Sequence, residues 1–277
     1  MVMSAVMAQN QENTPRSPAA RAANTDAAGV LAAYKKASGS GRGKSIDAIV
    51  AEGEITRQFP ALKSPLLFRF ASPQKLQSLS LTDAANALGP ASITTVFERS
   101  TWMRGWRAGA ESPVTSSVVS ATEAEALQVR RSMLEIALGI APAWLIEGGA
   151  VTARLAPSEK VDNRQQLALE VSDDGGPFGT LLFWADSGLP ARFRLRFMTA
   201  IGPPQEAFRT TAFENYRMVS GVAVPFLISR GAGRTQAIMT IWRYTLNTPI
   251  ANDLFREPAS NEQLKQRIAP LYQIERP

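Results

Sequence analysis

The sequence predicts a mostly β, α+β chain built on a strongly curved antiparallel sheet. Three observations carry that reading. Between Asp186 and Asn247, four strand-like runs are joined by short Gly/Pro turns, the pattern of an antiparallel meander. One long amphipathic helix signal, Ser120–Leu145, stands in an otherwise strand-rich chain. Several strands are apolar on both sides: Leu181 and Phe183 alternate with Leu182 and Trp184, and Ile238, Trp242 and Tyr244 are expected opposite Met239 and Ile241. A sheet with one wet face shows polar alternation. Two apolar faces imply a sandwich core or a curved sheet enclosing a helix and a cavity, and a single long helix favours the curved sheet. A solid core with no cavity is the alternative.

The elements follow in chain order. Residues 1–26 are expected to be a disordered tail or a signal-peptide remnant. Met1 to Ala8 is apolar, small and uncharged, like the end of a secretory signal, and Gln9 to Asp26 is polar with Pro and Ala. Asp26 can cap a helix to about Ala37, with Val30, Leu31 and Tyr34 on one face. The run S-G-S-G-R-G-K-S (Ser38–Ser45) has neither the glycine spacing nor the strand-to-helix context of a phosphate loop, and reads as a basic linker. Strands are expected at Ile46–Phe59, Pro65–Ala71 and Leu76–Leu81, then a short helical piece at Thr82–Leu88. A hairpin pair follows at Ile93–Arg99 and Thr101–Trp106.

Ser120 and Glu123 form a capping box for the long helix, and Pro142 should end or kink it. Further strands are expected at Val151–Leu155, Gln166–Val171 and Gly179–Ala185, with Asp173-Asp174-Gly175-Gly176 as a hairpin turn rather than a metal site. In Asp186–Asn247, the run A-R-F-R-L-R-F places Arg192, Arg194 and Arg196 on one face and Phe193, Leu195 and Phe197 on the other. A register slip would bury three guanidinium groups lacking an obvious carboxylate on a neighbouring strand. Pro225 lacks a ladder donor, so its strand is expected at an edge or at a bulge. A single domain over 27–258 is expected, followed by a tail, 259–277, with a short helix at Glu262–Ile268.

Composition excludes much chemistry. The 277 residues contain no cysteine and no histidine. That removes disulfides, thiolate chemistry, the Ser-His-Asp triad and the usual zinc and iron sites. No catalytic residue, metal or cofactor is therefore assigned. Glu52 and Glu54 share a strand face and are the best carboxylate pair for a hydrolase, but a solvated strand face explains them as well. The net charge of +6 comes from arginines scattered through strands and loops, which argues against nucleic acid as a partner. No apolar run approaches the length of a transmembrane segment.

The segments D-S-G-L-P-A-R-F-R, F-E-N-Y-R-M-V-S-G-V-A-V-P and T-I-W-R-Y-T-L-N-T-P-I resemble the closing sheet of the LolA/LolB-like superfamily of lipoprotein and lipid carriers. The resemblance implies a half-open barrel covered by one long and one shorter helix, with an apolar cavity for acyl chains. Candidate cavity residues are Phe68, Phe70, Leu134, Leu138, Trp144, Phe193, Leu195, Phe197 and Trp242. The implied function is non-enzymatic binding or transport of a lipid, a lipoprotein acyl chain or another hydrophobic ligand, in the periplasm or secreted. An envelope protein is a further implied partner. No lipobox cysteine is present, and the carriers' functional arginine has no assigned position. The alternative is a structural or protein-interaction module of the cell envelope.

Overall fold

A computed structural model describes residues 26–41, 45–57, 62–81, 91–97, 100–106, 123–198, 205–231 and 236–274. The Thr82–Leu88 helix, the Ser120 cap and the tail before Asp26 lie outside these. The described residues form one twelve-stranded antiparallel sheet in the order β5-β4-β3-β2-β1-β12-β11-β10-β9-β8-β7-β6. In the first half, β1 is Ile49–Arg57, β2 Leu62–Ser72, β3 Lys75–Leu81, β4 Ala91–Phe97 and β5 Ser100–Trp106. In the second, β6 is Thr152–Val161, β7 Arg164–Asp173, β8 Gly176–Trp184, β9 Pro190–Met198, β10 Glu206–Val219, β11 Val222–Arg230 and β12 Ala237–Leu246. All neighbours but one are sequential. Two meanders, β1–β5 and β6–β12, are sewn together where β1 pairs with β12, from Ile49↔Leu246 to Arg57↔Ala237. The sheet does not close, because β5 and β6 end the order without pairing.

The inner face wraps around the helices. Helix α1 (Ala27–Ser38) starts at Asp26, whose carboxylate accepts the Gly29 N–H at 2.7 Å, and ends at Gly39, which supplies φ 81°. Its buried side chains are Val30, Leu31, Tyr34 and Ser38. Helix α2 (Glu123–Ile140) breaks at Ala141, and α3 (Pro142–Glu147) begins with the proline in its first turn, as the sequence predicts. From Met133 to Ile140 every residue of α2 is buried. A helix lying across a flat sheet keeps one exposed stripe. Burial all round requires a sheet curled about the helix, which is the half-open barrel that the sequence predicts.

Several details differ from expectation. Strand β6 runs to Val161 rather than Leu155 and includes Pro157, where its pairing with β7 shifts between Ala156 and Glu159. As an edge strand it tolerates a residue without a ladder donor, and its mostly exposed side chains remove the apolar signal. Pro225 lies in an interior strand, not at an edge. It pairs with Tyr216 on β10, but β11–β12 pairing covers only Leu227–Arg230, so its missing N–H faces no ladder partner. The freed Pro225 carbonyl accepts the Tyr244 hydroxyl at 2.6 Å.

Tyr244 reaches Pro225 because of a second departure. The β1–β12 register shifts between Glu52 and Gly53, which pair with Arg243 and Ile241, so Trp242 is the extra residue of a bulge. Beyond the bulge Tyr244 turns to the same face as Met239 and Ile241, where strict alternation placed it opposite them. All three are buried in the inner core.

The outer face carries a smaller core. Helix α4 (Asn261–Tyr272), longer than the predicted Glu262–Ile268, is capped by Ser260, whose hydroxyl accepts the Gln263 N–H. Its Leu264, Ile268 and Leu271 pack on Leu67, Leu79 and Ile93 of β2, β3 and β4. On β2, β3 and β4 the inner apolar face thus joins the main core and the outer one is covered by the terminal helix.

Along β9, Phe193 and Leu195 are fully buried while Arg192, Arg194 and Arg196 point outward, as the alternation predicts. The arginines do have carboxylate partners: Asp162, Glu159 and Glu206, at 2.9, 2.7 and 2.8 Å. Two of these come from β6 and its turn, which sequence separation hid.

Candidate functional site: two clefts at opposite rims

The predicted cavity residues fall into three groups. Phe68, Phe70, Leu134, Leu138, Phe193 and Leu195 are at most 3% exposed and belong to the inner core. Phe68 and Phe70 stack at 5.8 Å, and Phe193 meets Phe178 at 5.8 Å. Trp144 and Phe197 are half-buried and line clefts at opposite rims of the sheet. Trp242 is half-buried at the bulge.

The first cleft, of about 590 Å3, lies where β1 begins, between α1, α3 and the linker that follows α1. Tyr34, Ile46, Ala141, Ala143 and Trp144 supply its apolar lining. Lys35 and Glu147 form an ion pair of 2.7 Å that joins α1 to α3. Asn247, at φ 61°, pins the linker to the end of β12: its side chain accepts the Asp47 N–H and donates to the Ser45 carbonyl, each at 2.8 Å.

The second cleft, of about 540 Å3, opens at the other ends of the strands, where β1, β9 and β11 finish and β10 and β12 start. It is lined by Phe197, Phe208, Arg209, Thr210, Arg230, Gly231 and Ala237. Phe208 is 55% exposed. Behind the cleft lies Glu135 of α2, with a fully buried side chain. Its carboxylate accepts Arg209 at 2.7 Å, Arg230 at 2.9 Å and the Thr211 hydroxyl at 2.5 Å. Ser132 Oγ accepts both arginines as well, Arg209 at 2.8 Å. Burial pushes the Arg230 guanidinium below its ordinary pKa, Arg209 and Arg57 push it the same way, and Glu135 opposes them.

This cluster is not among the candidate residues that the sequence suggests, although two signals for it exist. Glu135 interrupts the apolar run M-L-E-I-A-L on the helix, and Arg209 falls in the inward set with Thr211 and Phe213. A charge at a core position of each element points to a pair between them.

The other candidate chemistry is accounted for by structure. Glu52 pairs with Arg243 and Glu54 with Lys63, cross-strand partners on β12 and β2. Asp173 is held by Arg131 of α2 through two hydrogen bonds of 2.9 and 2.6 Å, and Gly176 turns the hairpin at φ 93°. No cluster of metal-ligating side chains occurs among the described residues. No described helix is long and apolar enough to cross a membrane.

No family model matches the chain, and no curated protein matches it. Solved structures do. A LolA superfamily protein from Nitrosomonas europaea is 12% identical, with a TM-score of 0.51, over 84% of this chain and 99% of that one. A DUF1329 family protein from Desulfovibrio piger is 12% identical, with a TM-score of 0.48, over 82% of this chain and 97% of that one. The chain has a LolA-like fold.

Proposed function

We propose that this protein binds and carries a hydrophobic ligand, a lipid or acyl chain, without transforming it, in the periplasm. The observation that carries the reading is Phe208. It projects from the outer face beside Arg196, more than half exposed at the lip of an open cleft whose inner wall carries Phe197, and is apolar surface awaiting a cover. Phe193 and Leu195 continue the inward row behind Phe197 into the filled inner core that also holds Phe68, Phe70, Leu134 and Leu138. Trp144 offers a second apolar contact at the far rim, and Trp242 remains a candidate at the bulge. The absence of histidine and cysteine, and the pairing of Glu52 and Glu54 with cations, support a binding rather than a hydrolytic role.

A neutral naphthylamine probe, whose fluorescence rises in apolar sites, tests this. It should bind, and Phe208→Ser should weaken binding at least fivefold with the unfolding midpoint unchanged. Mass spectrometry of organic extracts from the purified protein should return a co-purifying lipid. If the probe does not bind and extracts are empty, the reading fails and an envelope interaction module replaces it.

A further inference from the structure

We infer that the Phe197–Phe208 cleft is a site for an anionic amphiphile, with Arg230 and Arg209 receiving a phosphate or carboxylate headgroup on the inner side, beside Phe197, and Phe208 at the outer lip. The inference deepens the proposed function and rests on it for the apolar part of the ligand.

The charge count comes first. Among the described residues, Glu135 is the carboxylate ion-paired to both Arg209 and Arg230, so the cluster keeps one positive charge uncompensated. Arg57 adds to the excess. It ends β1 opposite Ala237, which in turn pairs with Arg230, and its field acts on Arg230. A buried ion pair needs close charge balance to offset desolvation. Two guanidinium groups against one carboxylate are out of balance by a whole charge, at the wall of an open cleft.

Hydrogen bonding points the same way. Glu135 is already saturated by Arg209, Arg230 and Thr211, and Ser132 takes the remaining approach from inside. Arg230 Nε is buried and has no hydrogen-bond partner. An orphaned N–H on a charged group is costly, and an acceptor oxygen entering from the cleft would relieve it. About a quarter of each arginine side chain, 28% for Arg209 and 23% for Arg230, remains accessible. A planar guanidinium suits an oxyanion, and Phe197 on the arginines' inner face, with Phe208 at the outer lip, suits the tail.

The experiment compares decyl phosphate with decanol at fixed ionic strength, using displacement of the naphthylamine probe, with inorganic phosphate as a third ligand followed by 31P NMR. Decyl phosphate should bind at least tenfold more tightly than decanol. Arg230→Gln should abolish that preference, whereas Arg192→Gln, an outward arginine, removes the same charge and should leave it intact. Equal affinity for the two decyl ligands overturns the headgroup site while leaving the carrier reading standing. If neither displaces the probe but inorganic phosphate broadens in wild type and not in Arg230→Gln, the anion site stands and the lipid tail is wrong. If no ligand binds, both readings fall. Should Arg230→Gln not fold, the comparison of ligands on wild-type protein decides alone.

Discussion

Gly139 of α2 lies against the ring of Phe213 on β10, so closely that a Cβ at position 139 would overlap the ring's edge. The contact sets the depth at which the helix sits inside the sheet. Mid-helix glycine is ordinarily a liability relative to alanine. Here it admits an aromatic ring where no side chain fits. Gly139→Ala should therefore destabilise the protein by about 1–3 kcal/mol, against the usual gain from alanine. Chemical denaturation measures it, and a stabilised variant would show that α2 rides higher than described.

Leu138, fully buried beside Gly139, tests how tightly the enclosed helix is packed. Leu138→Ala should cost about 2–5 kcal/mol, as expected for truncation in a filled core. A loss below about 1 kcal/mol would mean that the space around α2 is already hollow, and would move the ligand site inward from the rim.

Of the four tyrosines, Tyr34 and Tyr244 are buried and Tyr216 is partly buried, and desolvation raises the pKa of all three above the ordinary phenol value. The unfolded chain releases these protons near pH 10, while the folded chain retains them. Stability from these groups is therefore full below about pH 10 and falls as pH rises above it. Absorbance at the phenolate band should show at most one tyrosine ionising before an unfolding transition that releases the rest together. Smooth titration of three or four phenols in the folded protein would contradict their burial.

Helix α4 should be part of the cooperative unit. Ile268 is 1% exposed between α4 and the outer face of β2–β4. Ile268→Ala should lower stability by about 2–4 kcal/mol in the same transition as the rest of the chain. A separate early transition, or no change, would mean that α4 docks only loosely.

The outward arginines of β9 offer a contrast. Arg194 pairs with Glu159, both about one-third exposed, so Arg194→Gln should change stability by less than about 1 kcal/mol. The effect should shrink further in high salt. A larger loss would mean that the β6 edge depends on these pairs for its position.

Local order was legible in the sequence because its causes are local. Asp26 caps a helix, Pro142 interrupts one, and the A-R-F-R-L-R-F run orients β9, each through chemistry within a few residues. The sequence by itself thus determined a strand-rich chain around one long helix, the faces of β9, and the absence of histidine and cysteine chemistry. Only the tertiary structure decided what depends on distant partners. The β1–β12 seam joins residues almost two hundred positions apart, and its bulge at Trp242 turns Tyr244 inward against strict alternation. Pro225 is tolerated in an interior strand because the neighbouring ladder stops short of it. Glu135, Arg209 and Arg230 look like isolated charges until the sheet curls around α2, because buried charges choose partners by proximity in space.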